Sequence, residues 1–583
     1  MPPVREKKPG TSSPQEKREI VSSQDWSARR SYLLLALLTL ACLLPFCTKA
    51  FHVDDTLFVR AAQNIQRHPT NPYGFELIWD TTQKSMSAIT KNPPLACYYA
   101  ALVGTIAGWS EAALHLGFLL PALVLVLATY RLASRFTRLP LIAACATLLA
   151  PGLLTSATSV MCDTMMLALW VVATLLWVEG LDENKRSYLL ASGILIAACA
   201  VTKYFGVALI PLLLAYGGAR KRRAGMWLLY LAVPLVLLVA YQFWTKALYG
   251  QGLLLNAAEF APTQRASEQT SVLTKLVVGL SFIGGCMLPA VTFIPLVGKR
   301  KLMLGAVGAA ILAAVALSLG WISLGATQQA VRLQHAIADR WPIMAVQLTI
   351  AIAGGIVILV LAAANWWQQR NAENLLLGLW IFGTFFFLAF LNWTINARSV
   401  LPLIPAAAIV ISQQVELQRE RLGQHLIKVA ILALGISGLV AVWVASADAT
   451  LANAGRSAAA ILRENTRAES GNVWFQGHWG FQYYMEAAGA RPLDIEHPQF
   501  RPGDTVIVPD NNIEIFPIPP NLVASTQLLE VPLNDHITTI QWELGAGFYS
   551  SVWGPLPFAA GEVPPERYFL LHMGAMAGTV AWP

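Results

Sequence analysis

Two adjacent acidic residues, Asp54 and Asp55, have side chains that could carry chemistry. They follow an apolar run, and residues 56–67 after them have a helical pattern. One aspartate there could simply cap the helix, because aspartate is a favoured N-cap residue. A cap needs only one acid, and neighbouring helix positions point to different faces. We therefore expect one carboxylate to face a substrate hydroxyl and the other to hold a cation or orient the helix.

A third acid, Asp163, stands between two apolar stretches. An ionised side chain placed centrally in a bilayer costs about 2.5–3.5 kcal/mol, so such residues usually have a function. The alternative is an N-cap at the membrane surface, since residues 164–167 could begin a helix. The sequence makes Asp163 a candidate site residue and leaves the capping role open.

Three basic residues, Lys91, Lys203 and Arg398, fall at predicted helix ends. Each could be a membrane-interface residue whose aliphatic portion lies along apolar surface while its charged group reaches water. Together with three carboxylates, they instead predict a site for an anionic group beside an acid/base residue. No pair of histidines has a metal-ligand spacing such as H-x-x-x-H, and the need for a divalent metal stays open.

These residues must be positioned by a chain that is mostly apolar. Of its 583 residues, 56% are hydrophobic and 13% are charged, and the mean hydropathy is +0.53. This composition predicts an all-α multi-pass membrane protein rather than a soluble domain. The basic residues form short clusters between apolar runs, so we expect membrane topology and no nucleic-acid partner.

The apolar runs predict about thirteen membrane-spanning helices, at roughly 20 residues a span. A polar segment, 1–30, precedes them and is predicted to be a disordered cytoplasmic tail. The predicted spans are 31–47, 112–130, 140–159, 164–181, 188–201, 204–218, 225–245, 272–296, 302–325, 342–365, 375–391, 399–415 and 427–446. Residues 31–446 would thus form the membrane domain.

The clusters of basic residues between spans predict which loops are cytoplasmic. They alternate consistently if 94–109 is an interfacial or re-entrant helix. The first outward loop, 50–93, then lies on the same side as Asp163, Lys203 and Arg398. The tail 447–583 also lies outside and is predicted to be a small α/β domain, with strands near 472–476 and 505–508 and a helix over 481–488.

The order of these motifs carries a family resemblance. The sequence resembles the polyprenyl-phosphate-sugar-dependent glycosyltransferases of the GT-C membrane fold, especially the protein O-mannosyltransferase and lipid A aminoarabinose transferase group. The matching motifs are Asp54-Asp55, Lys91-Asn-Pro-Pro94, Asp163, Thr202-Lys-Tyr-Phe-Gly206 and Arg398-Ser-Val-Leu-Pro402-Leu-Ile-Pro405. Four positions depart from the family pattern. Asp55 stands for a Glu, Ser399 stands for a Tyr, Lys91 lies two residues before the prolines, and Arg60 is farther from the acidic pair than the family's arginine.

The resemblance implies an inverting sugar transfer from a polyprenyl-phosphate donor to an acceptor hydroxyl on a lipid, glycan or protein. Lys203 and Arg398 would hold the donor phosphate, with Lys91 and Arg60 as further candidates. Asp54 would be the general base, while Asp55 and Asp163 would orient the acceptor, a metal or the helix ends.

We therefore expect a glycosyltransferase at the outer face of the plasma membrane, with membrane lipid around it. Two other functions fit the same outward charges: a transporter or flippase of a lipid-linked saccharide, and a polymerase or ligase of surface polysaccharide. Related halves would favour the transporter, and the sequence has no internal repeat. The sugar and the acceptor are not identified by the sequence.

Overall fold

The chain folds mostly into apolar helices. The computed structural model describes residues 14–267, 270–296, 300–419, 423, 425–467 and 471–574. Among these residues, eight helices are long and apolar enough to cross a membrane. They are Ala28–Phe46, Glu111–Ala133, Cys162–Asp182, Met226–Tyr249, Lys301–Ser318, Trp341–Gln368, Ala372–Leu391 and His425–Thr466. The protein is a multi-pass membrane protein, as its composition predicts.

Four further apolar helices are shorter, and the predicted count of about thirteen spans is not confirmed. They are Leu95–Ala107, Arg186–Ala200, Val272–Cys286 and Leu403–Leu417. Prolines shorten several predicted spans because they end the preceding helix. Pro151 starts a second helix within 140–159, and Pro402 lies directly before Leu403–Leu417. The 13 residues of Leu95–Ala107 extend only about 20 Å, too short for a full span.

The first helix runs over Pro14–Leu43, so the tail expected to be disordered over 1–30 is helical from residue 14 onward. Pro14 suits a first helical position, and the Glu, Lys, Arg and Gln residues after it favour helix. The apolar helix therefore extends toward the N-terminus. Residues 1–13 of the predicted disordered tail lie outside the described residues.

Shorter helical elements connect and cap these helices. The α-helices among them are Asp55–Arg67, Met86–Ile89, Pro140–Leu148, Pro151–Ser156, Leu209–Lys221, Leu253–Ser267, Pro289–Thr292, Gln328–Asp339, Ala397–Val400 and Trp479–Ala487. The 3₁₀ segments are Leu44–Phe46, Tyr204–Ala208, Met226–Leu231, Ile294–Leu296, Pro520–Leu522 and Trp542–Leu544, and Phe387–Leu391 is a π-helical segment. A small hairpin, Glu76–Ile78 with Gln83–Ser85, lies in the first loop.

The C-terminal region, residues 471–574, contains a five-stranded mixed sheet. From edge to edge its strands are Arg491–Pro492, Val473–Phe475, Thr505–Pro509, Glu566–Met573 and Val523–Val531. The first three are parallel and the last two pair antiparallel. Short two-residue strands pair as Ile537–Thr538 with Ala559–Ala560, and as Ile540–Gln541 with Ala546–Gly547. The strands predicted near 472–476 and 505–508 and the helix predicted over 481–488 are thus present.

The long helix His425–Thr466 joins the membrane helices to this region and passes the predicted boundary between residues 446 and 447. The first loop lies against the same region, because the Ile495 amide donates to the Thr81 carbonyl and the Tyr484 hydroxyl accepts from the Phe51 amide. The first loop is therefore held between the membrane helices and the C-terminal region.

Candidate active site

Asp54 begins the helix Asp55–Arg67 without capping it. It occupies the N-cap position, yet its side chain makes no capping hydrogen bond. The residue before it, Val53, has a φ of 46°, which is the left-handed region that a β-branched residue rarely adopts. Such backbone strain costs on the order of 1–3 kcal/mol and is typical of functional sites. The Asp54 carboxylate is therefore free of the capping role that the sequence left open.

The Asp54 carboxylate instead pairs with Arg398, 344 positions later in the chain. The distance from Arg398 Nη1 to Asp54 Oδ2 is 2.8 Å, and the two side chains are 15% and 24% exposed. Arg398 lies in the four-residue helix Ala397–Val400, whose N-cap is Asn396. The pair is thus partly open to solvent and formed by segments that only the tertiary fold brings together.

Asp55 has a different environment, as the two expected roles require. One of its carboxylate oxygens accepts from the His52 amide at 2.9 Å, and the other accepts from the Val160 amide at 2.8 Å. The side chain is fully buried, and this burial raises the pKa of Asp55 to about 7. Asp55 therefore fixes the first loop to the turn that precedes Asp163.

Asp163 and Lys203 form a second ion pair, between Asp163 Oδ1 and Lys203 Nζ. Asp163 lies in the first turn of Cys162–Asp182, whose N-cap is Met161, so it does not cap this helix. Lys203 lies in the predicted turn, between Arg186–Ala200 and the 3₁₀ segment Tyr204–Ala208. The Asp163 side chain is 3% exposed and that of Lys203 is 21% exposed, so the lysine is the more accessible partner.

The two ion pairs form one cluster. Arg398 Nη1 lies 3.1 Å from the Met161 sulfur, two residues before Asp163. Burial acts to lower the pKa of Arg398, but the charges of Asp54 and Asp163 outweigh it and raise this pKa. Arg398 thus remains a cation between two carboxylates. Four of the predicted site residues lie together here.

Lys91 lies half-buried in a different set of contacts. Its Nζ donates to the Ala88 carbonyl at 2.9 Å and to Asn256 Oδ1 at 3.0 Å, and it lies 5.1 Å from the centre of the Phe260 ring. Burial lowers the pKa of Lys91. Its neighbour Asn92 accepts a weak hydrogen bond from the Cys162 thiol, at 3.7 Å. Lys91 therefore borders the cluster through Asn92 and Cys162.

Arg60 connects the first loop to the C-terminal region. Its Nη2 lies 2.7 Å from Glu486 Oε2, and its guanidinium lies 5.9 Å from the centre of the Tyr483 ring. Among the described residues, Arg60 is paired with neither Asp54 nor Asp163. Arg60 therefore links the first loop to the C-terminal region.

A buried polar group beside the cluster was not predicted from the sequence. Lys49 Nζ lies 2.6 Å from Asp448 Oδ2, and both side chains are fully buried. The hydroxyl of Tyr549 donates to the same carboxylate. An aspartate within the apolar helix His425–Thr466 was a signal that could have revealed this group, because buried acids in such helices need partners.

Within the described part of the chain, no three His, Cys, Asp or Glu side chains are grouped to hold a metal ion. The carboxylates of Asp54 and Asp163 are each paired with a basic side chain. The site as described is therefore built from carboxylate–cation pairs at the edge of a membrane domain. Such a site suits chemistry on an anionic group.

The family model described as dolichyl-phosphate-mannose-protein mannosyltransferase matches residues 91–244. This segment is about a quarter of the chain and contains Lys91, Asp163 and Lys203. Over this segment, the match confirms the resemblance to lipid-phosphate-sugar-dependent glycosyltransferases. No curated protein sequence matches the chain.

Two crystal structures of ArnT from Cupriavidus metallidurans are among the solved structures that are similar to this chain. The crystal structure bound to undecaprenyl phosphate is 13% identical, with 82% of this chain and 92% of that chain covered and a TM-score of 0.40. The crystal structure in the apo state is 14% identical, with 84% and 93% covered and a TM-score of 0.37.

Proposed function

We propose that the protein is an inverting glycosyltransferase that moves a sugar from a polyprenyl-phosphate donor to an acceptor hydroxyl at the outer face of the plasma membrane. One observation carries this proposal: Arg398 and Lys203 lie in one cluster, each against a carboxylate, at the edge of a membrane domain. The family match over 91–244 supports the same class of reaction.

In this proposal, Arg398 and Lys203 bind the donor phosphate. Arg398 suits the role because its side chain is 15% exposed and, among the described residues, only its Nη1 is hydrogen-bonded, so guanidinium donors remain for a phosphate oxygen. As the bond between the sugar and the phosphate breaks, negative charge develops on the phosphate. Fixed cations stabilise that charge more in the transition state than in the ground state.

Asp54 is the general base in this proposal. Its side chain is 24% exposed, whereas Asp55 is buried and Asp163 is 3% exposed, so Asp54 is the most accessible of the three acids. The acceptor oxygen attacks the anomeric carbon, its proton passes to Asp54, and the polyprenyl phosphate leaves with the bonding electrons. A single displacement of this kind inverts the anomeric configuration. A positioned base contributes about 10²–10⁴-fold to such a step.

The Asp54–Arg398 ion pair suggests an order of events. A phosphate that binds Arg398 competes with Asp54 for the same guanidinium. Donor binding would therefore weaken the ion pair and leave the Asp54 carboxylate available to accept a proton. Asp163 has the corresponding relation to Lys203 and would orient that lysine before the donor arrives.

The test compares cells with and without the gene by mass spectrometry of lipid-linked sugars and envelope glycans. The proposal expects one polyprenyl-phosphate sugar to accumulate, and one glycan, lipid or protein to lose a single sugar, when the protein is absent. Unchanged profiles would contradict the proposal, whereas lipid-linked sugar confined to the inner leaflet would favour a flippase.

Binding by the purified protein tests the phosphate ligands separately. Arg398→Gln and Lys203→Gln should each weaken binding of polyprenyl phosphate about ten- to a hundredfold, the effect of losing a charge-assisted hydrogen bond. Arg220→Gln is a matched control, because Arg220 is also ion-paired, with Asp182 and Glu373, but lies outside the cluster. Equal effects of all three changes would contradict specific phosphate binding.

A further inference from the structure

We propose that Tyr549, in the C-terminal region, is a positioning residue that holds the Arg398 guanidinium in the orientation needed to bind the donor phosphate. This inference rests on the proposed function of Arg398. It makes the C-terminal region part of the site, because Tyr549 would act on the reaction through an arginine that lies between membrane helices.

The aromatic ring of Tyr549 lies over the guanidinium of Arg398. The distance from Arg398 Cζ to the ring centre is 5.6 Å, within the range of a cation–π contact. One guanidinium nitrogen, Nη1, donates to Asp54, and Nε has no hydrogen-bond partner among the described residues. The contact with the ring therefore restricts movement of a guanidinium that still has donors to offer.

The hydroxyl of Tyr549 is anchored at the other end. It donates to both oxygens of Asp448, at 3.2 and 3.0 Å. Thr539 also donates to Asp448, at 2.7 Å, and Lys49 pairs with it at 2.6 Å. A buried carboxylate with this many partners does not reorient readily, because each lost partner would leave a buried charge less compensated. Tyr549 is therefore fixed to a rigid point.

Lys49 is held in turn by a second bond, from its Nζ to the Thr158 hydroxyl at 3.1 Å. Thr158 lies in the same turn as Val160, whose amide donates to the Asp55 carboxylate. The anchor of Tyr549 is therefore continuous with the loop and turn that carry Asp54 and Asp163.

Backbone hydrogen bonds on both sides of Tyr549 independently hold this residue beside the segment that carries Arg398. The Ala397 amide donates to the Phe548 carbonyl at 2.8 Å, and the Ser551 amide donates to the Ile395 carbonyl at 2.7 Å. The hydroxyls of Thr394 and Ser550 are 2.9 Å apart. Residues 548–551 thus follow the chain segment that carries Arg398, and Tyr549 lies in the middle of this contact.

The experiment measures the Kd of purified protein in lipid nanodiscs for a short polyprenyl phosphate without a sugar. Tyr549→Leu removes the ring and should raise this Kd about three- to thirtyfold, the range of a desolvated cation–π contact. Tyr549→Phe keeps the ring but loses the hydroxyl bond to Asp448, so its Kd should lie between those of the wild type and Tyr549→Leu. Should Tyr549→Leu fail to fold, Tyr549→Met replaces it, because the flexible Met side chain fills the space without a ring.

A double-mutant cycle separates positioning from a general structural role. In an Arg398→Gln background, Tyr549→Leu should change the Kd by less than about twofold, because the residue acts through the guanidinium. The matched control is Tyr568→Leu, a buried tyrosine of the C-terminal sheet that packs on Phe481. It should alter thermal stability but not the Kd.

Equal effects of Tyr549→Leu with and without Arg398, or an unchanged Kd in the single variant, would overturn the inference. Wild-type protein that binds polyprenyl phosphate but transfers no sugar would overturn the proposed function alone, and the Kd comparison would still decide the role of Tyr549. Wild-type protein that does not bind the lipid phosphate would overturn both.

Discussion

Neighbouring acids in the sequence have opposite environments in the structure. Asp54 is partly exposed and pairs with Arg398, whereas Asp55 is buried and accepts two backbone amides. The sequence predicted two different roles, because adjacent helix positions point to different faces. It could not predict which partners they find, since Val160 and Arg398 are 105 and 344 positions away.

Replacing Asp54 should separate binding from transfer. Asp54→Asn removes the charge that competes with phosphate for Arg398, so the Kd for polyprenyl phosphate should stay equal to that of the wild type or fall. Binding by purified protein provides the measurement, and Asp80→Asn is the control, because Asp80 pairs with Lys84 in the same loop. A markedly weaker affinity in Asp54→Asn would show that Asp54 supports the site instead of competing for Arg398.

The buried carboxyl of Asp55 predicts a pH dependence of stability. Its pKa is raised to about 7, so between about pH 4 and 7 the folded state binds the proton more tightly than the unfolded state. This contribution to stability is therefore present at low pH and lost as the pH rises toward 7. Asp55→Asn lacks it.

The measurement compares melting temperatures of the wild type and Asp55→Asn in detergent from pH 5 to 8. The advantage of the wild type should shrink as the pH rises. An advantage that stays constant or grows across this range would mean that Asp55 does not titrate as a buried acid.

At the scale of helices, the sequence predicted the class of the elements better than their number. The long apolar runs are helices, and the turn at Lys203 is where the pattern predicted it. Pro151 and Pro402 divide predicted spans because proline ends the preceding helix, a signal that the count of apolar residues in a span does not use. These breaks place short helices such as Ala397–Val400 at the site.

The helix Asp55–Arg67 is tied to the helix Trp479–Ala487 by Arg60 and Glu486. Arg60→Gln should lower the melting temperature slightly, by the small amount typical of a partly exposed ion pair, and leave the Kd for polyprenyl phosphate unchanged. Thermal unfolding and lipid binding measured on the same preparation provide the check. A tenfold weaker affinity would make Arg60 a phosphate ligand after all.

At the scale of the whole molecule, the C-terminal region contacts the cluster through Tyr549. Two of its strands were predicted, from short apolar segments between Pro and Asp residues, but its contacts with Phe51, Asp448 and Arg398 were not. These contacts join residues as far apart as 433 positions, and single-sequence patterns contain no signal for such pairing. The membrane part therefore supplies the charges, and the tertiary fold decides which of them meet.

The membrane orientation remains a prediction at this scale. The basic clusters predict that the N-terminus is cytoplasmic and that residues 471–574 are outside. Single cysteines introduced at exposed positions such as Glu530 and Arg222 should react with an impermeant reagent in intact cells only at the first position. Labelling of Arg222→Cys alone would invert the orientation and place the site in the cytoplasm.

The most direct test of the central claim is sugar transfer in cells that produce Asp54→Asn in place of the wild-type protein. Quantitative mass spectrometry would compare the donor lipid and the envelope glycans, with protein amount in the membrane matched. We predict that Asp54→Asn accumulates the polyprenyl-phosphate sugar and lowers transfer at least about a hundredfold, the smaller end of general-base catalysis. A glycan profile identical to that of the wild type would contradict the account of Asp54 as the catalytic base.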